Sequence, residues 1–256
     1  MLQEGGYYMN EILKQIKHRK SMRVFENKPI VAELKKEILN AAFEAPTAGA
    51  MMLYSMLDIT DEKLKKQLSV ECDNQDFIAK APLVIIFLAD YQRWYDAFDS
   101  ENCNPRKPGE GDILLAYTDA IVAAQNTVVA AESLGIGSCY IGDIIENCET
   151  IRELLDLPDY VLPAAMVIYG YPVEVQKNRK KPARFEEQYI VYENKYRRLN
   201  KEEHIEMQRI RNEKAAFLNK NVSEDIKAIC NRKYMSDFSL EMNRSASEYL
   251  KKFKEE

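Results

Sequence analysis

Two uninterrupted apolar runs and one long apolar segment constrain the fold of this chain most. Residues 83–89 and 163–169 are strand-sized and apolar at nearly every position. A strand of that kind has both faces buried. Residues 112–134 read as a long, Ala-rich helix with apolar residues on most sides, among them Ile121, Val122, Ala123, Ala124, Val128 and Val129. A helix apolar nearly all round lies inside a core. It stops at Gly135, where a left-handed cap suits glycine.

Shorter elements fill in around these. Residues 10–19 form an amphipathic helix with Ile12, Leu13 and Ile16 on one face, and residues 32–45 a second with Leu34, Ile38, Ala41 and Ala42 inward. The turn Pro46-Thr47-Ala48-Gly49 ends it. Residues 53–59 and 139–141 read as strands, and 61–67 and 149–155 as helices. Residues 90–111, with Tyr91, Trp94, Tyr95 and Phe98, read as an irregular loop of the length that often serves as a lid. Residues 1–9 read as a disordered leader, 10–196 as the main domain and 197–256 as a charged, helical C-terminal extension. Tyr249, Leu250 and Phe253 predict that this extension packs on something.

Composition excludes several classes. The 256 residues are 46% hydrophobic and 30% charged, with a net charge of −5, which argues against a general nucleic-acid binder. No uninterrupted apolar run approaches the roughly 20 residues of a membrane span. The five cysteines include no Cys-x-x-Cys pair, and His18 and His204 are far apart, so no metal site is expected. Reduced thiols in a cytoplasmic protein account for them.

The residues that can carry chemistry are mostly basic or glycine. Arg19, Lys20 and Arg23 fall within five residues, with Ser21 between them. Arginine's planar fork fits phosphate and lysine adds a compact charge. A solvated basic helix end would also account for the cluster alone. A later basic stretch holds Lys177, Arg179, Lys180, Lys181 and Arg184. The segment Gly135-Ile136-Gly137-Ser138 allows close backbone approach to a ligand, and equally a helix cap followed by a turn. It lacks the spacing of a dinucleotide fingerprint. No catalytic triad or acid–base pair can be argued, so no catalytic side chain is nominated. A cofactor that brings its own redox chemistry would explain that absence.

The ordered set of Arg19-Lys20-Ser21-Met22-Arg23-Val24-Phe25, Ala45-Pro46-Thr47-Ala48-Gly49, Glu132-Ser133-Leu134-Gly135-Ile136-Gly137, Tyr140-Ile141-Gly142 and Lys181-Pro182-Ala183-Arg184 resembles the nitroreductase-like FMN flavoproteins over residues 10–196. The tail is more loosely similar to the longer, NADPH-linked branch. The resemblance implies an α+β fold with a mixed, mainly antiparallel sheet wrapped by helices, in an intertwined homodimer. It implies that Arg19, Lys20, Ser21 and Arg23 hold FMN at its phosphate, ribityl chain and ring edge. Thr47, Ala48 and Gly49 would form a turn facing the flavin, and Gln75 a polar contact. Tyr140, Ile141, Gly142 and Asp143 would lie behind the ring, with Lys181 and Arg184 as a late phosphate clamp. Arg244 matches a substrate-pocket arginine, and equally a solvated helix face. Ala50 and Met52 depart from the family, which often has Asn and Gln there. The implied activity is ping-pong hydride transfer from NADPH or NADH to a small electron acceptor: a nitroaromatic, a quinone or a flavin. A same-fold enzyme of different chemistry, such as a reductive dehalogenase, and a non-catalytic flavin-binding protein remain open. Neither nucleic acid nor membrane is an expected partner.

Overall fold

The computed structural model describes residues 10–216 and 221–254, so the expected leader, residues 1–9, lies outside the described residues. The first part of the chain runs α1 (Glu11–His18), α2 (Ala32–Phe43), β1 (Tyr54–Asp58), α3 (Glu62–Glu71), α4 (Asp76–Ala79) and β2 (Leu83–Asp90). It continues with α5 (Gln92–Ser100), α6 (Glu110–Ser133), β3 (Gly137–Ile141), α7 (Cys148–Leu155), β4 (Val161–Gly170) and α8 (Glu174–Asn178). The last elements are α9 (Lys201–Lys214), α10 (Val222–Ile229) and α11 (Asp237–Lys251).

The four described strands form one sheet in the order β1-β2-β4-β3. Every pairing in it is antiparallel. Strands β2 and β4 are central and buried at every position, as their unbroken apolar runs require. Pro163 sits inside β4 without breaking it. The register slips between Phe87 and Leu88 at that point, and β3 pairs only with Met166–Gly170. Proline's missing N–H therefore falls where β4 has no partner on the β3 side.

Alternate β-strand residues feed two cores. Ile85, Phe87, Val167 and Tyr169 face α2 and α6, while Val84, Ile86, Met166 and Ile168 pack with Leu68, Ile78 and Ile151. Helix α6 buries Ala116, Ala120, Ala123, Ala124 and Ala131, small residues that let it lie close to the sheet. By length and composition α6 could cross a bilayer. Here its apolar face is spent on the sheet core. Its end is a Schellman cap: Gly135 has φ +72°, its N–H donates to Glu132 O at 3.1 Å, and the Ile136 N–H donates to Ala131 O at 2.9 Å. Gly135 is thus a cap.

The chain divides into two compact units, Lys180–Leu240 and the remainder on either side of it. This differs from a main domain ending at 196 with one continuous extension. Tyr249 and Phe253 are buried with Leu53, Ala89, Ile113 and Ala116 of the first unit. Burial of those aromatic rings draws the chain's end back onto that core. The expected irregular loop at 90–111 also differs, because residues 92–100 form α5.

Candidate functional site

The cations near the start of the chain are placed by backbone pairing to the sheet. The Met22 N–H donates to Ser138 O of β3 at 2.9 Å, and the Glu26 N–H to Tyr171 O at 2.7 Å. Phe25 bridges to Pro172. Met22 and Phe25 approach the sheet over Gly137 and Gly170, where a side chain would collide with them. Arg19, Lys20, Ser21 and Arg23 are therefore held beside β3.

Residues after β4 close on the same loop. Lys20 Nζ donates to Lys177 O at 2.5 Å, Arg179 Nη2 donates to Ser21 O at 2.5 Å, and the Arg23 N–H donates to Gln176 Oε1 at 3.3 Å. The Arg23 guanidinium stands 6.0 Å from the Phe77 ring centroid. Arg19 is the distinctive member: its Nε and Nη2 are buried and make no hydrogen bond among the described residues. Buried guanidinium donors left unpaired are costly, and an anion would satisfy both. The donor set thus fits a phosphate-bearing cofactor. Arg179 is a member that the sequence reading passed over. It sits in the basic run, but only the fold shows which cation of that run returns to Ser21.

The segment behind the expected ring lies next to these cations. Burial pushes the Cys139 thiol up, against the opposing pull of Arg23, Ser21, Arg19 and Arg179. Cys139 is therefore a buried, protonated thiol at neutral pH. Burial also pushes the Tyr140 phenol up to about 12, partly offset by Arg19. Past Ile141 and Gly142, Asp143 accepts from Gln75 Nε2 at 2.8 Å, so two residues expected at the site do meet. Glu146, also missed from sequence, is buried beside Asp143.

The turn at Thr47, Ala48 and Gly49 is tied to α6. Asp119, only 5% exposed, accepts from Thr47 Oγ1, from the Ala48 N–H at 3.1 Å and from the Leu53 N–H at 3.2 Å. Gly49 (φ +57°), Ala50 (φ +58°) and Met52 (φ +49°) are left-handed. The last two are strained for their residue types. Helix α5 fastens the far side: Arg93 donates to the carbonyls of Met52 and Tyr54, and Trp94 Nε1 donates to Met51 O at 2.7 Å. Trp94 is thus a brace on the turn. A carboxylate in the apolar middle of that helix is the sequence signal that could have found Asp119.

Arg244 makes a bidentate pair with Glu149, at 2.9 and 2.8 Å, and also pairs with Glu241. Its charge is offset by two carboxylates. Both carboxyls are held down to about 2, chiefly by that guanidinium. Lys181 and Arg184 belong to the second unit. There they line a cavity of about 650 Å³ with Lys180, Arg211, Arg232 and Asp225.

A four-stranded antiparallel sheet wrapped by helices, with a cluster of cations beside β3, defines an α+β protein. The profile of the nitroreductase family matches residues 16–171. An NADPH-dependent oxidoreductase of Staphylococcus aureus is 32% identical over 186 residues, which cover 71% of this chain and 72% of the relative. NfrA2 of B. megaterium superposes with a TM-score of 0.76 at 28% identity, covering 93% of this chain and 98% of that one. Nitroreductase A of Vibrio parahaemolyticus superposes with a TM-score of 0.79 at 26% identity, covering 95% and 100%. The chain belongs to the nitroreductase family and is an NAD(P)H-dependent oxidoreductase.

Proposed function

We propose that the protein is an FMN-dependent NAD(P)H oxidoreductase that reduces small electron-poor acceptors as a cytoplasmic homodimer. The observation that carries this reading is Arg19, whose two buried donors find no acceptor among the described residues, within a cluster of further cations. Bound FMN would supply the redox chemistry, taking hydride from NADPH or NADH and delivering it in a ping-pong sequence to a nitroaromatic, a quinone or a flavin. The name of the S. aureus relative favours NADPH as donor.

The chain's own residues bind, orient and exclude water. Arg19, Lys20, Arg23 and Arg179 would neutralise the phosphate and favour an electron-rich ring nearby. Ser21 and Gln75 add polar contacts, and Tyr140, Ile141, Gly142 and Asp143 back the ring. The braced turn at Thr47, Ala48 and Gly49 would form the opposite wall, contributed across the dimer. Lys181 and Arg184 remain candidates for the late clamp, and Arg244 for the substrate pocket. The dimer reading has support in exposed apolar side chains, including Ile12, Leu13, Phe43, Leu114 and Leu115.

The test is anaerobic spectroscopy of protein reconstituted with FMN, followed by NADPH and then NADH. Flavin bands that bleach with one nucleotide and recover with a quinone are expected. Arg19→Ala should weaken FMN binding by about ten- to a hundredfold, the loss of a charge-assisted contact. Undiminished FMN affinity in that variant would remove Arg19 from the site.

A further inference from the structure

One carboxylate holds both ends of the loop at 47–53. Asp119 Oδ1 accepts from the Ala48 N–H at 3.1 Å, and Oδ2 accepts from the Leu53 N–H at 3.2 Å and from Thr47 Oγ1. The Thr47 hydroxyl in turn accepts from the Met52 N–H at 2.8 Å, which extends the hold by one residue. Every side-chain hydrogen bond of Asp119 among the described residues goes to this loop. Its place is the apolar middle of α6, among buried alanines. Packing there would be served better by an apolar side chain, because a buried carboxylate is costly unless its lone pairs are filled. The core therefore does not account for Asp119, and the loop does.

What the carboxylate holds is a backbone the loop would not choose. Gly49, Ala50 and Met52 are all left-handed, and Ala and Met keep that form only where the surroundings impose it. Arg93 and Trp94 impose it from the far side, and Asp119 from beneath. The tip between these anchors, Gly49 and Ala50, is exposed. The N–H groups of Ala48 and of Ala50 to Tyr54 all find acceptors within the fold, and that of Gly49 finds none among the described residues. A strained loop fastened on two sides thus presents one open donor at a rigid tip. Strain of this kind collects at functional segments.

We propose that Asp119 is a positioning residue for the oxidoreductase reaction, clamping the 47–53 loop so that its tip and the open Gly49 N–H grip a carbonyl or nitro oxygen of the electron acceptor. The role in the reaction rests on the reading above that this turn faces the flavin. The clamp stands without it. Asp119 itself touches neither substrate nor cofactor, and acts through the loop. In Asp119→Asn the side chain keeps its size, but one oxygen becomes an NH2 that faces a donor. One end of the loop then comes free, and Ala50 and Met52 relax from their left-handed form.

Two readouts test the parts. In FMN-free protein, NMR hydrogen exchange should show the Ala48 and Leu53 amides protected beside an exposed tip, with the protection lost in Asp119→Asn. Fast exchange of both amides in the parent protein overturns the clamp, whether or not FMN binds. In FMN-loaded enzyme, Asp119→Asn should raise the KM for menadione by about tenfold or more, with a smaller change in kcat. The control is Thr127→Val on the same helix, which removes a buried hydroxyl contact with Tyr169 and touches nothing in the loop. It should lower Tm and leave the KM alone. An unchanged KM in folded Asp119→Asn, or an equal rise in Thr127→Val, overturns the positioning role. If Asp119→Asn does not fold, Thr47→Val decides: it removes only the hydroxyl relay and should raise the KM in the same direction, and no rise overturns the role. Failure of the parent to bind FMN or reduce menadione overturns the flavin reading and the positioning role with it, and the exchange result still decides the clamp.

Discussion

Replacing Gly170 with alanine should loosen the cation loop from the sheet. A Cβ built there lies 2.5 Å from Phe25 Cγ, 2.8 Å from Cδ1 and 2.9 Å from Cβ. Carbon atoms in good contact stand about 3.5–4.0 Å apart, so the ring or the strand must yield by about 1 Å. Phe25 cannot swing away freely. It is bridged to Pro172, and its neighbours bond across at Glu26 N–H to Tyr171 O and Val173 N–H to Val24 O. Gly170 is not left-handed, so sterics alone set the cost. Overpacking of this kind costs about 1–3 kcal/mol. For a chain of this size each kcal/mol lowers Tm by about 2–4 °C, giving a drop of about 2–12 °C. Arg23 is two residues from Phe25, so FMN affinity should fall with Tm. Gly111→Ala is the control, since a Cβ there meets nothing within 4 Å. Scanning calorimetry with FMN titration tests the pair of variants. A Gly170→Ala protein that melts with its parent and binds FMN equally refutes the claim that these glycines seat the loop.

Other consequences can be measured directly. Glu146 binds its proton more tightly folded than unfolded, so its contribution to stability is full below pH 4.5 and is lost as pH rises through about 7. That rise corresponds to at most about 3 kcal/mol. Urea melts should show the decline, and Glu146→Gln should flatten it. Thiol reagents should label Cys103 and Cys230 in the native protein and spare buried Cys72, Cys139 and Cys148. Rapid labelling of Cys139 would contradict its protonated, enclosed state. Arg179→Ala should weaken FMN binding by about tenfold or more. Arg244→Ala, by contrast, should chiefly free Glu149 and Glu241, raising both carboxyls from about 2 in an NMR titration.

Much of the fold is legible in local pattern. The apolar runs at 83–89 and 163–169 became β2 and β4, and the apolar segment at 112–134 became α6, because burial on all sides leaves no polar periodicity to read. Gly135 was legible as a cap because a left-handed turn after a helix favours glycine. Residues 90–111 were less legible. Their polar and aromatic mix gives no clean period, yet α5 forms because Arg93 and Trp94 anchor it to the turn at Met51, Met52 and Tyr54. The split of the C-terminal extension was illegible for a similar reason, since Tyr249 and Phe253 announce burial but not the surface they will cover.

The sequence by itself determined the inventory: two core strands, a central helix, a cation cluster, and the motif order of the nitroreductase family. Those features are local, set by side-chain period, turn chemistry and charge density. Tertiary structure decided which groups meet. It brought Arg179 to Ser21 across the end of β4, set Asp119 beneath Thr47, and joined Gln75 to Asp143. Contacts between residues far apart in the chain depend on how strands pair and helices pack, and no spacing within the chain encodes them. The Nε and Nη2 of Arg19 are such a result: a charge is visible in sequence, but the burial of these two donors without a partner among the described residues exists only once the chain is folded.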